Sequence, residues 1–257
     1  MNIIGIIPAR LASTRLPNKP MVDILGLPMV GHCYFRSKMS KILDDVYVAT
    51  CDEEIFDFIV RIGGKAIMTS NSHERASDRT AEAMLEIEKI TNKKIDIVVL
   101  LQGDEPMTTP KMIELAVKPL INSSDIEISN LYTDIKTIEE FENPNEVKVV
   151  VDNNNFALYF SREPIPSRKK GVLEVPMFKQ VCVIPFTRDY LIKYNSLTQT
   201  PLEVIESVDM MRVLEHGDKI KMVYMSDENF SVDTQDDLLN VRNLMKKDVL
   251  INEYIKK

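Results

Sequence analysis

The chain has 257 residues, of which 44% are hydrophobic, and its 39 acidic residues outnumber the 32 Lys and Arg for a net charge of −7. This length and apolar content suit one α/β domain with a modest appendage and a sizeable core. The acidic balance argues against nucleic acid or an anionic membrane as the main partner, because both need a basic face.

The three cysteines and three histidines lie far apart along the chain. Their spacing gives neither a disulfide framework nor a zinc site, and it favours buried cysteines in a reducing compartment. The longest apolar run is far shorter than the roughly 18 residues that span a bilayer. No positively charged region precedes the apolar N-terminus, so a signal peptide is not predicted. We therefore expect a soluble, cytoplasmic protein.

The first predicted element is a strand over Ile3 to Ile7, whose β-branched apolar residues are typical of a strand buried on both faces. Pro8 has no N–H to give the ladder and is predicted to end the strand. The loop from Ala9 to Lys19 contains three cations and no acid. Cations and backbone N–H groups just past a buried parallel strand favour phosphate binding, although a solvated basic loop is the alternative.

Helices and strands alternate after this loop, which is the rhythm of a parallel sheet covered by helices. Proline in a first turn and glycine after a last turn mark several of the helix ends. In chain order we predict a helix over 28–41, a strand over 45–50, a helix over 53–62 ending at Gly63 and Gly64, a strand over 65–68, a helix capped by Ser77, a strand over 95–101, a helix opened by Pro110, and strands over 127–132 and 147–151.

From about residue 156 to 186 the pattern changes to short extended runs that alternate with prolines. We interpret this segment as a β-rich excursion from the main sheet, so we predict a single domain over residues 1–257. Thr234 to Asp237 resembles a capping box in which Asp replaces the usual Glu. The remaining predicted elements are a helix over 201–216 ending at Gly217, a strand over 219–225, and a last helix with Leu238, Val241 and Met245 on its apolar face.

Asp104 and Asp233 are the acids that best fit a metal site, because each follows an apolar strand and precedes a helix. In a parallel sheet both would lie at the carboxyl edge together with the basic loop. Two carboxylates facing a triphosphate suit Mg²⁺, which takes one or two protein oxygens and fills its shell with phosphates and water. A simple turn position for Asp104 and a helix cap for Asp233 are the alternatives.

Arg79, Gln102 and Arg162 form a second group of candidates, since each is polar and lies beside the end of a predicted element. An arginine fork suits a carboxylate ligand, while surface exposure is the alternative for both arginines. The GxGxxG dinucleotide signature and the GxxxxGK[ST] phosphate loop are absent from the sequence. No local Ser/His/Asp or Cys/His motif suggests a covalent hydrolase.

One set of segments matches a known family in the same order over nearly the whole chain. The segments are Pro8-Ala9-Arg10, Ser13-Thr14-Arg15-Leu16-Pro17, Lys19-Pro20, Gln102-Gly103-Asp104-Glu105-Pro106, Asn143-Pro144-Asn145, Val147-Lys148-Val149-Val150, Ala157-Leu158-Tyr159-Phe160-Ser161-Arg162, Pro201-Leu202-Glu203, Glu206, Arg212-Val213-Leu214 and Val232-Asp233-Thr234. Together they resemble the sugar-acid cytidylyltransferases, most closely those for 3-deoxy-manno-octulosonate (KDO). The collinear set is far more specific than any one motif.

The resemblance implies a Rossmann-like nucleotidyltransferase α/β fold of three layers, with a mixed, mainly parallel sheet and a small β-rich lobe that helps to form a homodimer. It implies that CTP and a 2-keto sugar acid react to give a CMP-sugar and pyrophosphate for surface polysaccharide synthesis, with Mg²⁺ as cofactor. Arg10, Lys19 and Asp104 would be catalytic, and Asp104 and Asp233 would hold Mg²⁺. The nucleotide would be bound by Pro8, Ala9, Arg10, Ser13, Arg15, Lys19, Ala76 and Ser77, and the sugar by Arg79, Gln102, Arg162, Gln180, Glu203 and Glu206.

The chain departs from the family in the part expected to touch the sugar. It has Arg75-Ala76-Ser77-Asp78-Arg79 where the family has Ser-Gly-Thr-(Asp/Glu)-Arg. It has Gln180-Val181-Cys182 and then Ile184-Pro185-Phe186 where the family has His-Leu-Gly and then Tyr-Gly-Tyr, and Asp209-Met210 where the family has Glu-Gln. The acceptor is therefore open among KDO, an amino variant of it and another ulosonic acid.

Two other functions stay open from the sequence. One is a nucleotidyltransferase that uses another base or a sugar phosphate, which a thermal-shift comparison of nucleotides would separate. The other is a non-catalytic nucleotide-sugar-binding protein. The presence of both Asp104 and Asp233 argues against the second, because a pure binder needs no metal pair.

Overall fold

The computed structural model describes residues 1–13, 15–172 and 174–255. These residues group into two compact units. The first unit combines Met1–Glu114 with the described residues from Asn229 onward, and the second unit is Leu115–Glu228. The single domain over residues 1–257 stays a prediction, because compactness does not show whether either unit folds alone.

Helices and strands alternate over residues 29–151, as the sequence predicts, whereas strands follow one another directly over residues 148–187 and helices over residues 188–215. The strands are β1 (Ile3–Ala9), β2 (Asp23–Ile24), β3 (Leu27–Pro28), β4 (Asp45–Thr50), β5 (Ala66–Met68), β6 (Ile97–Leu101), β7 (Ser129–Asp134), β8 (Lys148–Val151), β9 (Ala157–Ser161), β10 (Phe178–Val181), β11 (Val183–Thr187) and β12 (Lys221–Tyr224). The α-helices are α1 (Met29–Lys38), α2 (Glu53–Arg61), α3 (Ala76–Thr91), α4 (Pro110–Asn122), α5 (Ile138–Glu142), α6 (Arg188–Ser196), α7 (Pro201–Glu206), α8 (Met210–Glu215) and α9 (Gln235–Met245).

The sheet of the first unit is parallel and has the strand order β6–β1–β4–β5. Strand β1 is buried along its whole length, as its run of β-branched residues predicts. The prediction that Pro8 ends this strand is wrong, because the strand continues to Ala9. Pairing with β6 stops at Ile6, so Pro8 lies beyond the part that is paired on both sides, where a missing N–H is tolerated. The segments after β1, β5 and β6 leave the sheet at the same edge.

The second unit contains a mostly antiparallel sheet with the strand order β12–β7–β10–β8–β9. Only the β12–β7 pair among the registered pairs of this sheet is parallel. The β-rich part of the chain is therefore wider than the predicted segment 156–186, since its strands run from Ser129 to Tyr224. The prolines marked only the irregular middle of this unit. Its first and last strands were predicted, over 127–132 and 219–225, but not as part of the β-rich segment.

The predicted helix over 201–216 is two helices, α7 and α8, which is a correction to the sequence analysis. Ser207 follows α7 in a left-handed conformation with φ 51°, and this backbone angle ends the helix. The predicted end at Gly217 is confirmed, with φ 82°. A serine gives no sequence signal for a left-handed residue as strong as glycine does, which explains the missed break.

The predicted N-cap of α3 is also wrong. Arg75 has the extended backbone of a cap residue, and the helix begins at Ala76. Ser77 is therefore already inside the first turn, where it is buried. Asp78 lies in the same turn and interacts favourably with the helix dipole there, as predicted.

The start of α9 confirms the predicted capping box. Thr234 Oγ1 accepts a hydrogen bond from Asp237 N at 3.2 Å, and Asp237 Oδ2 accepts one from Thr234 N at 2.8 Å. The predicted apolar face of α9 is buried in a core cluster that also contains residues from the start of the chain. Its members are Leu16, Ile24, Met29, Val232, Leu238, Val241 and Met245. This packing brings Asp233, just before the helix, to the loop that follows β1.

None of the three cysteines forms a disulfide bond, and only Cys33 is buried as expected, because Cys51 and Cys182 are partly exposed. Within residues 1–13, 15–172 and 174–255, no helix combines the length and apolar character needed to cross a membrane.

Candidate active site

A cavity of about 390 Å³ opens in the first unit at the carboxyl edge of its parallel sheet. Three segments form its wall, one after β1, one before and within the first turn of α3, and one after β6. The residues that line it are Pro8, Ala9, Arg10, Ala12, Ser13, Arg15, Lys19, Pro20, His73, Glu74, Arg75, Ala76, Arg79, Gln102, Gly103 and Asp104. Thr14 lies outside the described residues.

Gly103 allows two of these segments to approach each other closely. A Cβ atom at this position would lie 3.0 Å from the carbonyl oxygen of Pro8. A larger residue would therefore push the end of β6 away from the end of β1. The glycine therefore allows Asp104 to lie beside the basic loop that follows β1.

Lys19 joins the two aspartates predicted to hold a metal. Its Nζ lies 2.6 Å from Asp104 Oδ2 and 2.9 Å from Asp233 Oδ1. Since both oxygens contact one nitrogen, they are less than about 6 Å apart. Arg15 adds a second cation, with its Nη2 3.0 Å from Asp233 Oδ1. Residues from distant parts of the chain therefore meet in one charged cluster, as the sequence predicts.

The backbone fixes the two aspartates relative to each other. Val232 N donates a hydrogen bond to the carbonyl oxygen of Asp104 at 2.9 Å, immediately before Asp233. Asp233 N donates to Asp237 Oδ2 at 3.1 Å, so the segment is also tied to the capping box of α9. The position of each carboxylate therefore depends on the docking of α9.

The charges of this cluster offset the cost of its burial. Desolvation alone would lower the pKa of Lys19, but the carboxylates of Asp104 and Asp233 overcome it and place this pKa above the ordinary value for lysine. Lys19 is therefore a cation at neutral pH, with a side chain only 15% exposed. Its ammonium lies between the two carboxylates at the edge of the cavity.

The donor set fits a magnesium ion that is completed by a ligand. Among the described residues no group of three or more His, Cys, Asp or Glu side chains could hold a metal. Two carboxylates at the edge of a cavity suit Mg²⁺, because this ion is usually held by one or two carboxylates together with substrate phosphates and water. Asp104 and Asp233 are the residues that would hold it, and this role stays a prediction.

Arg79 combines deep burial with an unused hydrogen-bonding group. The residue is 3% exposed and lines the cavity. Its Nη1 donates to Thr69 Oγ1 at 2.5 Å and to the carbonyl oxygen of Ser70 at 3.2 Å. Its Nη2 is buried and has no hydrogen-bond partner in the described part of the chain. A buried guanidinium with an open donor is arranged to donate a hydrogen bond to an anionic group of a ligand.

Most residues predicted to bind the nucleotide do line the cavity, and one does not. Arg10 is exposed at the cavity, and Gln102 is half-buried there. Ser77 is buried in the first turn of α3 and is not part of the cavity wall. The predicted residues that the structure places in the wall are Pro8, Ala9, Arg10, Ser13, Arg15, Lys19, Ala76, Arg79, Gln102 and Asp104.

The other residues predicted to bind the sugar lie in the second unit and are engaged by its own groups. Glu203 is fully buried, and its two oxygens accept hydrogen bonds from Arg212 Nε at 2.8 Å and Nη2 at 2.7 Å. Glu206 accepts from Tyr159 Oη, Ser161 Oγ and the backbone N of Arg162. Both carboxylates therefore organise the protein around α7.

Arg162 and Gln180 are also held by protein groups. The guanidinium of Arg162 donates to the carbonyl oxygens of Glu206, Pro144 and Ser207. Gln180 Nε2 donates to Asn130 Oδ1 at 2.6 Å, and Asn130 is completely buried. The sugar-binding role of these residues stays a prediction.

Two features of the first unit were missed from the sequence. Arg36 is 1% exposed and binds the carbonyl oxygens of Met107 and Thr108, just after Asp104, as well as Asp248 after α9. His73 lines the cavity and hydrogen bonds to Glu82. The signal for His73 was its place in the polar stretch just before α3, whereas nothing local marks Arg36 as buried.

Comparison with known proteins decides the family. The profile of the family described as cytidylyltransferase matches residues 4–220. The chain belongs to this family. It is therefore a nucleotidyltransferase, and the predicted α/β fold class with a mainly parallel sheet is confirmed by the structural neighbour described next.

The relatives of this cytidylyltransferase match it from end to end. A 3-deoxy-manno-octulosonate cytidylyltransferase of Geotalea uraniireducens is 41% identical over 257 residues, covering 96% of this chain and 100% of the relative. One of Fusobacterium nucleatum is 41% identical over 248 residues, covering 96% and 98%. The solved structure of CMP:2-keto-3-deoxy-manno-octonic acid synthetase complexed with CTP superposes with a TM-score of 0.87 at 35% identity, covering 96% and 99%.

Proposed function

We propose that this chain activates a KDO-like 2-keto-3-deoxy sugar acid, converting CTP and the acid to a CMP-sugar acid and pyrophosphate, for surface polysaccharide synthesis. The names of its full-length relatives support this reaction. The structural observation that carries the proposal is the ammonium of Lys19 lying between Asp104 and Asp233 at the edge of the cavity. This arrangement provides cations for a triphosphate and carboxylates for its metal in one place.

The chemical problem is the approach of two anions. The anomeric hydroxyl of the acid must attack the α-phosphorus of CTP while pyrophosphate leaves, and both substrates repel each other until charge is neutralised. Arg10, Arg15 and Lys19 would supply that neutralisation from the loop after β1. Asp104 and Asp233 would hold Mg²⁺, which when bound supplies further charge to stabilise the leaving phosphates.

Arg79 would orient the acceptor. Its open Nη2 suits the carboxylate of a sugar acid, and burial strengthens this charge-assisted hydrogen bond. Holding the carboxylate also places the neighbouring anomeric carbon, so binding the acid and aligning its hydroxyl become one event. The sequence differences at Arg75 and Ala76, both in the cavity wall, leave the acceptor open among KDO, an amino variant and another ulosonic acid.

A coupled assay for pyrophosphate tests the proposal. CTP with Mg²⁺ is held fixed while KDO, its amino variant and other ulosonic acids are varied, and we expect release with one of them. UTP, GTP and ATP serve as controls, and a rise in melting temperature with CTP alone would support the nucleotide assignment independently. Absence of release with every acid at high enzyme concentration would refute the sugar-acid activity, and preference for another nucleotide would favour the alternative nucleotidyltransferase.

We also propose that the protein acts as a cytoplasmic homodimer. Exposed apolar side chains in the second unit support association, with Leu158 60% exposed, Val204 57% and Ile205 73%. Three cysteines without a disulfide bond are consistent with a reducing compartment. Light scattering coupled to size-exclusion chromatography should give twice the chain mass, and a monomer mass at micromolar concentration would refute the dimer.

A further inference from the structure

His73 is a histidine in the cavity wall with one ring nitrogen engaged and the other open. Its Nε2 hydrogen bonds to Glu82 Oε2, while Nδ1 has no partner in the described part of the chain. The side chain is 22% exposed and lines the same cavity as Lys19, Arg79 and Asp104. An imidazole held by a carboxylate on one side and open on the other has the arrangement of an oriented base.

Glu82 fixes which nitrogen of His73 carries the proton. Desolvation raises the pKa of Glu82, but hydrogen bonds from Ser70 N and from His73 outweigh it, so the pKa lies below its ordinary value. The carboxylate is therefore ionised at neutral pH and can only accept. Because it accepts from Nε2, a neutral His73 carries its proton there and presents a bare lone pair at Nδ1.

The loop that carries His73 is anchored to α3 by two residues one turn apart. Glu82 accepts from Ser70 N at 2.9 Å, and Arg79 donates to the carbonyl oxygen of the same Ser70 at 3.2 Å. The open Nη2 of Arg79 and the open Nδ1 of His73 are thus presented by one rigid element. In a cyclic 2-keto sugar acid, the carboxylate and the attacking hydroxyl are both attached to the anomeric carbon. Arg79 Nη2 can bind the carboxylate and His73 Nδ1 can take the proton of the hydroxyl, so the two groups suit the two substituents of that carbon.

The distance across the sheet is compatible with this arrangement. His73 follows β5 and Asp104 follows β6, and three strand spacings of about 4.8 Å separate these strands, or about 14 Å in all. A separation of this size leaves room between Asp104 and His73 for the reacting groups of both substrates. Lys19 contacts Asp104 and Asp233. Arg15 also contacts Asp233, so two of the triphosphate cations lie on the side of Asp104. The acceptor would then lie on the side of His73.

We propose that His73 is the general base of the reaction and that Glu82 is its positioning residue, an inference that rests on the proposed function. Nδ1 takes the proton from the anomeric hydroxyl as that oxygen forms its bond to the α-phosphorus. The bond from the α-phosphorus to the bridging oxygen of pyrophosphate breaks, and pyrophosphate leaves with the electron pair. His73 then holds one added proton, which it returns to solvent after the products leave.

The test compares His73→Gln with Glu82→Gln in the same pyrophosphate assay. His73→Gln should lower kcat about 10²-fold or more, the usual contribution of a general base, with little change in KM for CTP. Glu82→Gln can donate to Nε2 and so places the ring proton on Nδ1, where it blocks proton abstraction. We expect this variant to lower kcat with the imidazole still present, whereas a merely structural histidine would tolerate it.

The pH profile provides a second readout. The pH profile of the wild-type rate should have an acidic limb that His73→Gln lacks, because glutamine has no ionisable group at this position. His216→Gln is the matched control, because His216 instead hydrogen bonds to the carbonyl oxygen of Thr198. Its rate and pH profile should equal those of the wild type.

The outcomes separate the two proposals. If the wild type turns over and His73→Gln keeps its kcat or its acidic limb, His73 is not the base and the proposed function stands. If the wild type releases no pyrophosphate with any acid, the proposed function itself fails. A raised KM for CTP with unchanged kcat in His73→Gln would place His73 against the nucleotide and overturn the base assignment.

Discussion

Charged residues in the two units look alike in the sequence, and the structure uses them in opposite ways. In the first unit Lys19, Asp104 and Asp233 contact one another at the edge of a cavity, with side chains 15–27% exposed. In the second unit Glu203 is completely buried against Arg212. The side chains of the first cluster can reach a ligand in the cavity. Those of the second cluster are buried against each other and cannot.

This difference distinguishes residues that can bind a ligand from residues that only stabilise the fold. A polar group binds a ligand only if some of its hydrogen-bonding capacity is left open, as at Nη2 of Arg79. A group whose donors or acceptors are all used by the protein, as in Glu206, contributes to stability and shape. Substitutions in the first unit should therefore change activity more than stability, and those around α7 should do the reverse.

The largest expected effect is loss of stability from Glu203→Ala. Removing this carboxylate leaves Arg212 buried without its partner, and the free energy of unfolding should fall by about 3–5 kcal/mol. Urea denaturation measures it. Glu139→Ala, on an exposed position of α5, is the control and should change it by about 0.5 kcal/mol or less. A change below about 1 kcal/mol for Glu203→Ala would remove the distinction between the two units.

Asp104→Asn should produce the opposite pattern. We expect kcat/KM to fall about 10²–10³-fold, since a well-placed charge is lost at the reacting phosphates. The free energy of unfolding should change little, because Lys19 keeps Asp233 as a partner. Steady-state pyrophosphate release measures the first and urea denaturation the second. Asp134→Asn is the control, as Asp134 accepts a hydrogen bond from Tyr224 Oη at 2.7 Å on an exposed face. Normal turnover by Asp104→Asn would remove this residue from the mechanism.

Ser207→Gly should stabilise the protein by about 0.5–1 kcal/mol. Serine pays a steric cost at φ 51°, which glycine avoids, although glycine also gains freedom in the unfolded chain. Ser196→Gly at the end of α6 is the matched control and should destabilise, because its backbone is helical. Loss of stability in Ser207→Gly would mean that the hydroxyl, and not the backbone angle, holds the turn between α7 and α8.

The smallest expected effect is a pH dependence of the free energy of unfolding, through His32 in the part of the core that positions Asp233. Burial lowers the pKa of His32, whose ring bonds to Ile24 O and to Tyr254 Oη in the C-terminal segment. Below about pH 6.5 the unfolded chain takes up a proton that the folded protein resists, so the free energy of unfolding should fall as pH falls. Urea denaturation at pH 7.5 and 5.5 measures this slope. His32→Gln should flatten it, and an unchanged slope would assign the dependence to other groups.

Much of the parallel sheet followed from the sequence. The buried run of β1, the bounds of β4, the glycine end of α2 and the capping box of α9 all depend on contacts within a few residues, so local pattern was enough to predict them. The sequence also predicted that Lys19, Asp104 and Asp233 lie at one edge, since each follows a predicted strand or loop, although the contacts that join them link residues 85 and 214 positions apart. Their family motifs strengthened this prediction.

What the sequence determined by itself is the chemistry of the groups and the order of the elements. Only the tertiary structure decided which of these groups have all their hydrogen bonds made by the protein itself. Glu203 and Arg79 are both charged residues beside helix ends, yet one is satisfied by an arginine nine residues away and the other keeps an open nitrogen. The break at Ser207 and the burial of Arg36 were equally hidden. Whether a polar group has all its hydrogen-bond partners depends on residues distant in the chain, and a local sequence pattern contains no information about them.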